Sequence, residues 1–291
     1  MTGPELAAVG KAVEVIGQKT LGQDEDTRDE LLKAAQGTPE FNAAARTAAA
    51  RIAVKERIKL KLYQPFARMI GVSRTYFEDV FPEEMAAKTA HIPDEHMITP
   101  PASVAVPAMQ GLSYTFEEPD LRELYLNLLT TATDDRRTGD AHPAFAEVIK
   151  QLSAPEAKFL NTILQERAAP IVRLLEYPEG EAGYRVLMTH VADIRNSETG
   201  EPKENPHVPT WVDNWHRLGL VEATYAQRFR DDEAYEWVTA RPEYLRLSQE
   251  PRSGRISYEC GLAIRTAFGE RFLRAVTPPQ PPAAVVVSAS P

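Results

Sequence analysis

Apolar residues recur at helical spacing through most of the first 166 residues, and the pattern becomes strand-like after about Ala168. Leu6, Val9, Val13 and Ile16 would line one face of a helix over Glu5 to Gln18. After Gly37 and Pro39, alanine and other strong helix formers predict a helix over about Phe41 to Leu62, ended by Pro65 and Gly71. A further helix begins near Ser73 and is interrupted at Pro82. The stretch His91 to Pro107 holds Pro93, Pro100, Pro101 and Pro107, which predicts an extended connector. Leu121, Leu124, Tyr125, Leu128 and Leu129 then mark the buried face of a helix over Glu118 to Thr131. A polar loop, Thr133 to Ala141, leads to Pro143, which suits the first turn of a helix ending near Leu152. Ser153 and Glu156 have capping-box spacing and predict a helix to about Glu166.

Beyond this point Ile171 to Tyr177 and Tyr184 to Ile194 flank a turn and predict a hairpin. The polar run Asn196 to Pro206 reads as a loop and Val208 to Leu218 as a short helix stopped by Gly219. Strands are expected over Leu220 to Phe229 and Arg255 to Ile264, and a helix over Phe268 to Val276. The fold class expected is mainly α: a helical region over 1–166, then a smaller α+β domain over 167–277. Its helix, strand and helix order resembles a winged helix. The tail 278–291, rich in proline, alanine, valine and serine, is expected to be disordered.

Of 291 residues, 43% are apolar and 26% charged, enough for a core and ordinary for a globular protein. No run approaches the roughly 18 apolar residues of a membrane span. Glu5, Lys11 and Glu14 interrupt the start of the chain, unlike a secretory signal. A single cysteine, Cys260, suits a reducing compartment, so a cytoplasmic location is expected. The net charge is −9, yet residues 41–70 carry seven basic side chains (Arg46, Arg51, Lys55, Arg57, Lys59, Lys61, Arg68) against Glu56 alone. Such a segment could meet an anionic surface, nucleic acid or lipid headgroups. Docking against the acidic stretch 71–150, which holds six basic and fourteen acidic residues, is the preferred expectation.

Several motifs fall in order over Ile92 to Leu160. They are Pro100-Pro101, Val104 to Tyr114, Leu121-Arg122-Glu123-Leu124, Asn127-Leu128-Leu129, His142-Pro143-Ala144-Phe145 and Gln151 to Ala157. In these residues the chain resembles the abortive infection alpha (Abi-alpha) family, with a family-like core at about 92–160. The likeness extends to Arg217-Leu218-Gly219-Leu220 and Ala267-Phe268-Gly269. What the resemblance implies is a helical protein of bacterial or phage conflict, with no established reaction and no catalytic residue to carry over.

The signatures of phosphate loops, dinucleotide folds, serine hydrolases and helical zinc proteases are absent from the sequence. Arg136 or Arg137 with His142 has the spacing that resembles HEPN ribonucleases, where arginine would steady a phosphorane and histidine move a proton. The intervening Thr138, Gly139 and Asp140 suit a loop better, and a local helix-capping role for His142 is preferred. Asp120 with Glu156 and Lys158 matches a metal-nuclease spacing only by chance, because both pieces fall in predicted helices. The six histidines offer no helical clamp, so neither a metal nor a cofactor is expected. For nucleic acid, Asn214 and Arg217 on the Val208–Leu218 helix and Arg246, Arg252 and Arg255 as a basic wing are the binding candidates. Trp211 and Trp215 are expected in the core.

The function expected is a phage-defence interaction or sensor protein without evident catalysis. A winged-helix DNA-binding regulator is the first alternative and a HEPN-like ribonuclease the second. A protein partner is expected, a nucleic acid or homo-oligomeric partner is possible on these features, and an anionic membrane surface is less favoured.

Overall fold

The computed structural model describes residues 39–65, 76–115, 117–251 and 254–277, so the expected helix at Glu5–Gln18 and the tail lie outside the described residues. Contacts divide the chain into two units, one within 1–114 and 129–139 and the other within 115–128 and 140–291.

The first unit opens with helix α1 (Pro39–Ile58), which runs into a π-helical turn, Lys59–Tyr63. A second π-turn, Tyr76–Val80, feeds helix α2 (Phe81–Thr89). Pro82 sits in its first turn, where a missing amide costs no hydrogen bond. The expected interruption is therefore a helix start. The core here is aromatic: Phe77 packs edge-on to Tyr76 and Phe81 and is stacked with Tyr63. Part of the charge of the basic α1 segment is met inside the unit. Lys55 pairs with Glu83, Arg57 with Asp94, and Lys61 donates to the Met97 carbonyl. That is the acidic-segment docking the sequence favoured.

The proline-rich connector is corrected. Pro100 and Pro101 precede helix α3 (Ala102–Leu112), and Pro107 lies inside it. An interior proline costs about 3 kcal/mol. Here Val104, Ala105, Ala108, Met109 and Leu112 are all buried, and their burial offsets it.

Helix α4 (Pro119–Thr133) crosses the division between the units. In the second unit, α5 (Ala144–Lys150) and α6 (Ala154–Gln165) follow, the latter with the Ser153–Glu156 capping box formed. The strands are β1 (Ala168–Pro178), β2 (Arg185–Ala192), β3 (Val221–Thr224) and β4 (Gly254–Arg265), in the antiparallel order β2-β1-β4-β3. Helix α7 (Val208–Arg217) precedes β3, and α9 (Ala267–Val276) follows β4. A 3₁₀ stretch, Asp232–Ala240, and helix α8 (Pro242–Gln249) fill a connection that the patterning left unassigned.

The hairpin and the final strand lie where expected, and β1 pairs with β4 along its whole length. One sheet face meets α7, α6 and, through α6, α9. The other buries Val172, Leu174 and Val191 against Tyr235, Val238 and Leu247. Gly219, at φ 74°, ends α7 in a conformation that favours glycine. Thr266 then caps α9 by accepting from the Gly269 amide (2.9 Å) and donates to the Gly219 carbonyl (2.5 Å). A Cβ at Gly269 would stand 2.0 Å from the Leu220 oxygen.

This packing predicts the stability of three variants. Gly269→Ala should cost about 1–3 kcal/mol or more through overpacking against a backbone atom. Gly139→Ala, whose Cβ meets open space, should stay within about 0.5 kcal/mol of wild type in denaturant titrations. Trp215 is fully buried, and Trp215→Ala should cost about 3–5 kcal/mol in the same titrations.

Candidate functional site

The most unusual backbone in the described residues is at His190, the one non-glycine there with positive φ (54°). It lies in β2, where the pairing with β1 slips. Val172 faces Val191 and Leu174 faces Met188, so Thr189 and His190 together oppose Arg173. Such a bulge re-aims a side chain, and its left-handed position is ordinarily taken by glycine. Holding a histidine there costs about 1–3 kcal/mol, strain that persists only where the surroundings enforce it.

What enforces it is a ring of polar contacts. The Tyr225 hydroxyl accepts from the His190 amide (2.9 Å) and lies 3.1 Å from His190 Nδ1. His190 Nε2 lies 3.2 Å from Asp213 Oδ1 on α7. A carboxylate only accepts, so Nε2 carries the proton, Nδ1 accepts, and the tyrosine hydroxyl donates to it. The two rings are stacked with centroids 5.8 Å apart. The Tyr225 ring also covers the Arg173 guanidinium at 4.8 Å. Arg173 in turn donates to the Glu259 carboxylate opposite it on β4 (2.6 Å) and to the Tyr184 hydroxyl (3.0 Å). Gly261 makes the arrangement possible, since a Cβ there would meet the Tyr225 ring at 2.6 Å.

Burial holds the His190 imidazole below its ordinary pKa, against the pull of Asp213, so it is neutral near pH 7. Burial pushes the Tyr225 phenol up, so it keeps its proton. Burial works against the charge of Arg173, but the hydrogen bond and charge of Glu259 outweigh it, and the guanidinium stays ionised. The network thus joins β1, β2, β4 and α7 with each polar group committed to a neighbour. On its β4 side, Tyr225 and Glu259 line a cleft of about 650 Å³ completed by Arg228, Asp232, Tyr235, Ser257, Tyr258 and Cys260. None of the network residues stood out in the sequence. The only signal was the gathering of all but Asp213 on predicted strands, which becomes legible once the register is known.

The residues singled out from sequence have other placements. Arg136 chelates the buried Asp134 through Nε (2.8 Å) and Nη2 (2.7 Å), and Asp134 is held below its usual pKa by that hydrogen bond. It is therefore more than an exposed loop residue. Arg137 donates its amide to the Asp134 carbonyl (3.0 Å). His142 accepts from the Ala144 amide through Nδ1 (3.1 Å) and packs on Phe145 and Phe268, as a local cap would. Asn214 donates to Glu156 (2.7 Å) and the Gln151 carbonyl (3.0 Å), and Arg217 donates to the Gln151 side chain (2.9 Å). Both brace α7 against the α5–α6 corner. Arg246 pairs with Glu204 and Glu250, and Arg255 lies over the Tyr177 ring. Arg252 lies outside the described residues. Trp215 is in the core as expected, while Trp211 is half-buried. Among the described residues no group of histidine, cysteine and carboxylate side chains could hold a metal, and no helix is long and apolar enough to cross a membrane.

The family model for abortive infection alpha matches residues 73–276, which take in the whole network and both clusters of motifs noted in the sequence. The chain belongs to the abortive infection alpha family. Neither curated proteins nor solved structures give a match. The family residues seen in the structure are largely caps and core. Asn127 donates to the Val276 carbonyl at the end of α9 (2.8 Å), Phe145 packs on Phe268 and Phe272, and Glu156 closes the capping box.

The depressed pKa of His190 has a testable sign. Below its ordinary value of 6.5 the unfolded chain takes up a proton that the folded site resists, so stability falls on acidification. Between pH 7.5 and 5.5 the melting midpoint of wild type should drop further than that of His190→Asn, a residue that tolerates the left-handed conformation. Equal drops would show that His190 is not held neutral by the fold.

Proposed function

We propose that the protein serves abortive infection as a sensor that binds an extended segment of a protein partner, in the cytoplasm, without a reaction of its own. The observation that carries this is the edge of β4. The β3 strand pairs only with Leu262 to Arg265, so among the described residues no strand pairs with β4 on that side from Gly254 to Gly261. Unpaired strand edges are templates for another chain, and strand addition supplies main-chain hydrogen bonds while side pockets select the sequence. The 650 Å³ cleft lies along this stretch and carries Arg228 paired with Asp232 (2.8 Å) beside Tyr258 and Glu259. The strained His190 network abuts the cleft through Tyr225 and Glu259, which would couple an arriving strand to α7.

Support for binding over catalysis comes from Arg136 and His142, whose polar groups serve Asp134 and Ala144. Asn214, Arg217 and Arg246 are likewise engaged with neighbours, which weighs against a DNA-reading surface. The run from α7 through Gly219 into β3, and from β4 into α9, is consistent with a winged-helix-like reading of 167–277. The long β1–β2 hairpin is an addition to that plan.

A photo-crosslinking amino acid placed at Arg228 should capture a defined partner during infection, while the same probe at exposed Arg167 should not. Arg228→Glu should fold normally and lose protection in an infection-survival assay. Full protection by that variant, with no crosslink at 228, would exclude the cleft as the partner site. A crosslinked homodimer would identify the partner as a second copy of this chain.

A further inference from the structure

A second cleft, of about 670 Å³, opens in the same unit away from the β4 edge. Helix α6 presents Pro155, Lys158, Phe159 and Thr162 to it, residues spaced on one helical face. Helix α7 adds Trp211, whose ring lies 6.3 Å from that of Phe159 and is stacked on its other neighbour, His207, at 6.1 Å. The third wall is the loop 193–206, folded back on itself. Lys203 donates its amide to Ile194 (2.9 Å), Asn196 donates to Glu201 (2.8 Å), and Gly200 turns the tip at φ 71°.

This loop is held from beneath. Arg241, fully buried, forms a fork with Glu243 (2.8 and 3.1 Å) and donates to the carbonyls of Ile194 and Lys203 (the latter at 2.8 Å). A buried pair whose remaining hydrogens are satisfied by both ends of one loop sets the shape of that loop. The cleft is therefore pre-formed, as small-molecule sites usually are.

Its chemistry leans to donors. Of the two carboxylates on its wall, Glu204 is paired with Arg246 (2.9 Å), and Asp193 gives one oxygen to Arg195 (2.8 Å) while the other, 3.9 Å from Arg241, accepts no hydrogen bond. Asn196 and Asn205 use their amide oxygens to accept from Glu198 and His207, which leaves their NH₂ groups as donors. Among the described residues Lys158 and Lys203 have no carboxylate partner, although most arginines of this unit do. Donors and two uncommitted cations thus surround an aromatic floor of Trp211 and Phe159. The matching ligand is rich in acceptors, anionic at one end and flat and apolar at the other.

We infer that this cleft is a binding site for a free nucleotide, with its base on Trp211 and Phe159 and its phosphates at Lys158 and Lys203. Stacking on aromatic side chains suits any base, and lysine is a point-charge partner for phosphate. The site is separate from the β4 edge and does not depend on it.

Isothermal titration of the full chain with adenosine and guanosine mono- and triphosphates tests the inference, with inorganic phosphate, the free nucleosides and a single-stranded oligonucleotide alongside. At least one nucleotide should bind, phosphate and nucleoside each at least tenfold more weakly. The Lys158→Ala/Lys203→Ala variant, altered only at exposed or partly exposed side chains, should lose at least tenfold in affinity while melting like wild type. Trp211→Phe should keep binding and Trp211→Leu weaken it. No nucleotide binding by wild type, unchanged affinity in the double lysine variant, or binding of the oligonucleotide alone would overturn it. Crosslinking at Arg228 is read independently, so either site can fail without the other.

Discussion

The approach of the Leu220 carbonyl to the α-carbon of Gly269 is the contact on which the second unit depends. It requires a residue without a Cβ, because any other would place an atom 2.0 Å from the oxygen. Around it, Gly219 turns the chain out of α7 and Thr266 bonds both to the Gly219 carbonyl and to the Gly269 amide. The Thr266 amide also donates to Leu220 (3.2 Å). One small crossing therefore fixes where α7 ends, where β3 begins, where β4 ends and where α9 starts. Phe268 and Phe272, carried by α9, then reach Phe145 on α5.

With those ends fixed, the β1–β4 pairing has one register that keeps the apolar residues on the faces they need. That register sets Arg173 opposite Glu259 and puts Gly261 beneath the Tyr225 ring. The bulge at His190 follows from the same geometry, since β2 must fit two residues against Arg173 while α7 supplies Asp213. The strain at His190 is thus set against hydrogen bonds with Tyr225 and Asp213, neither of them local in sequence. A partner added to β4 and a ligand seated between α6 and α7 would both act on elements that meet at this network.

In the first unit the organising term is electrostatic. A helix rich in lysine and arginine meets Glu83 and Asp94 through Lys55 and Arg57, and Lys61 donates to the Met97 carbonyl, so part of its charge is engaged within the unit. Pairs at partly exposed positions contribute little to stability individually, typically up to about 1 kcal/mol.

Periodicity alone determined the helices at α1, α4, α6, α7 and α9, the hairpin and the last strand, because amphipathic spacing and caps act within a few residues. The Ser153–Glu156 box and the Gly219 stop were legible for the same reason, as was the local role of His142 beside Pro143. The α3 helix was hidden because proline content argues against helix locally, whereas burial of Val104, Ala108 and Met109 decided it from outside the segment. The candidate sites were hidden more deeply. Arg173, Tyr184, His190, Asp213, Tyr225 and Glu259 span 86 positions between Arg173 and Glu259 alone, and no short window contains their pairing. The pairing of Arg136 was not legible because its partner, Asp134, is buried only once the chain is folded. Local pattern settled most of the elements, though not α3, α8 or the 3₁₀ stretch before it. Register, a missing Cβ at Gly261 and Gly269, and the burial of charged partners decided which residues meet, and those are properties of contacts between distant segments that only the tertiary structure brings together.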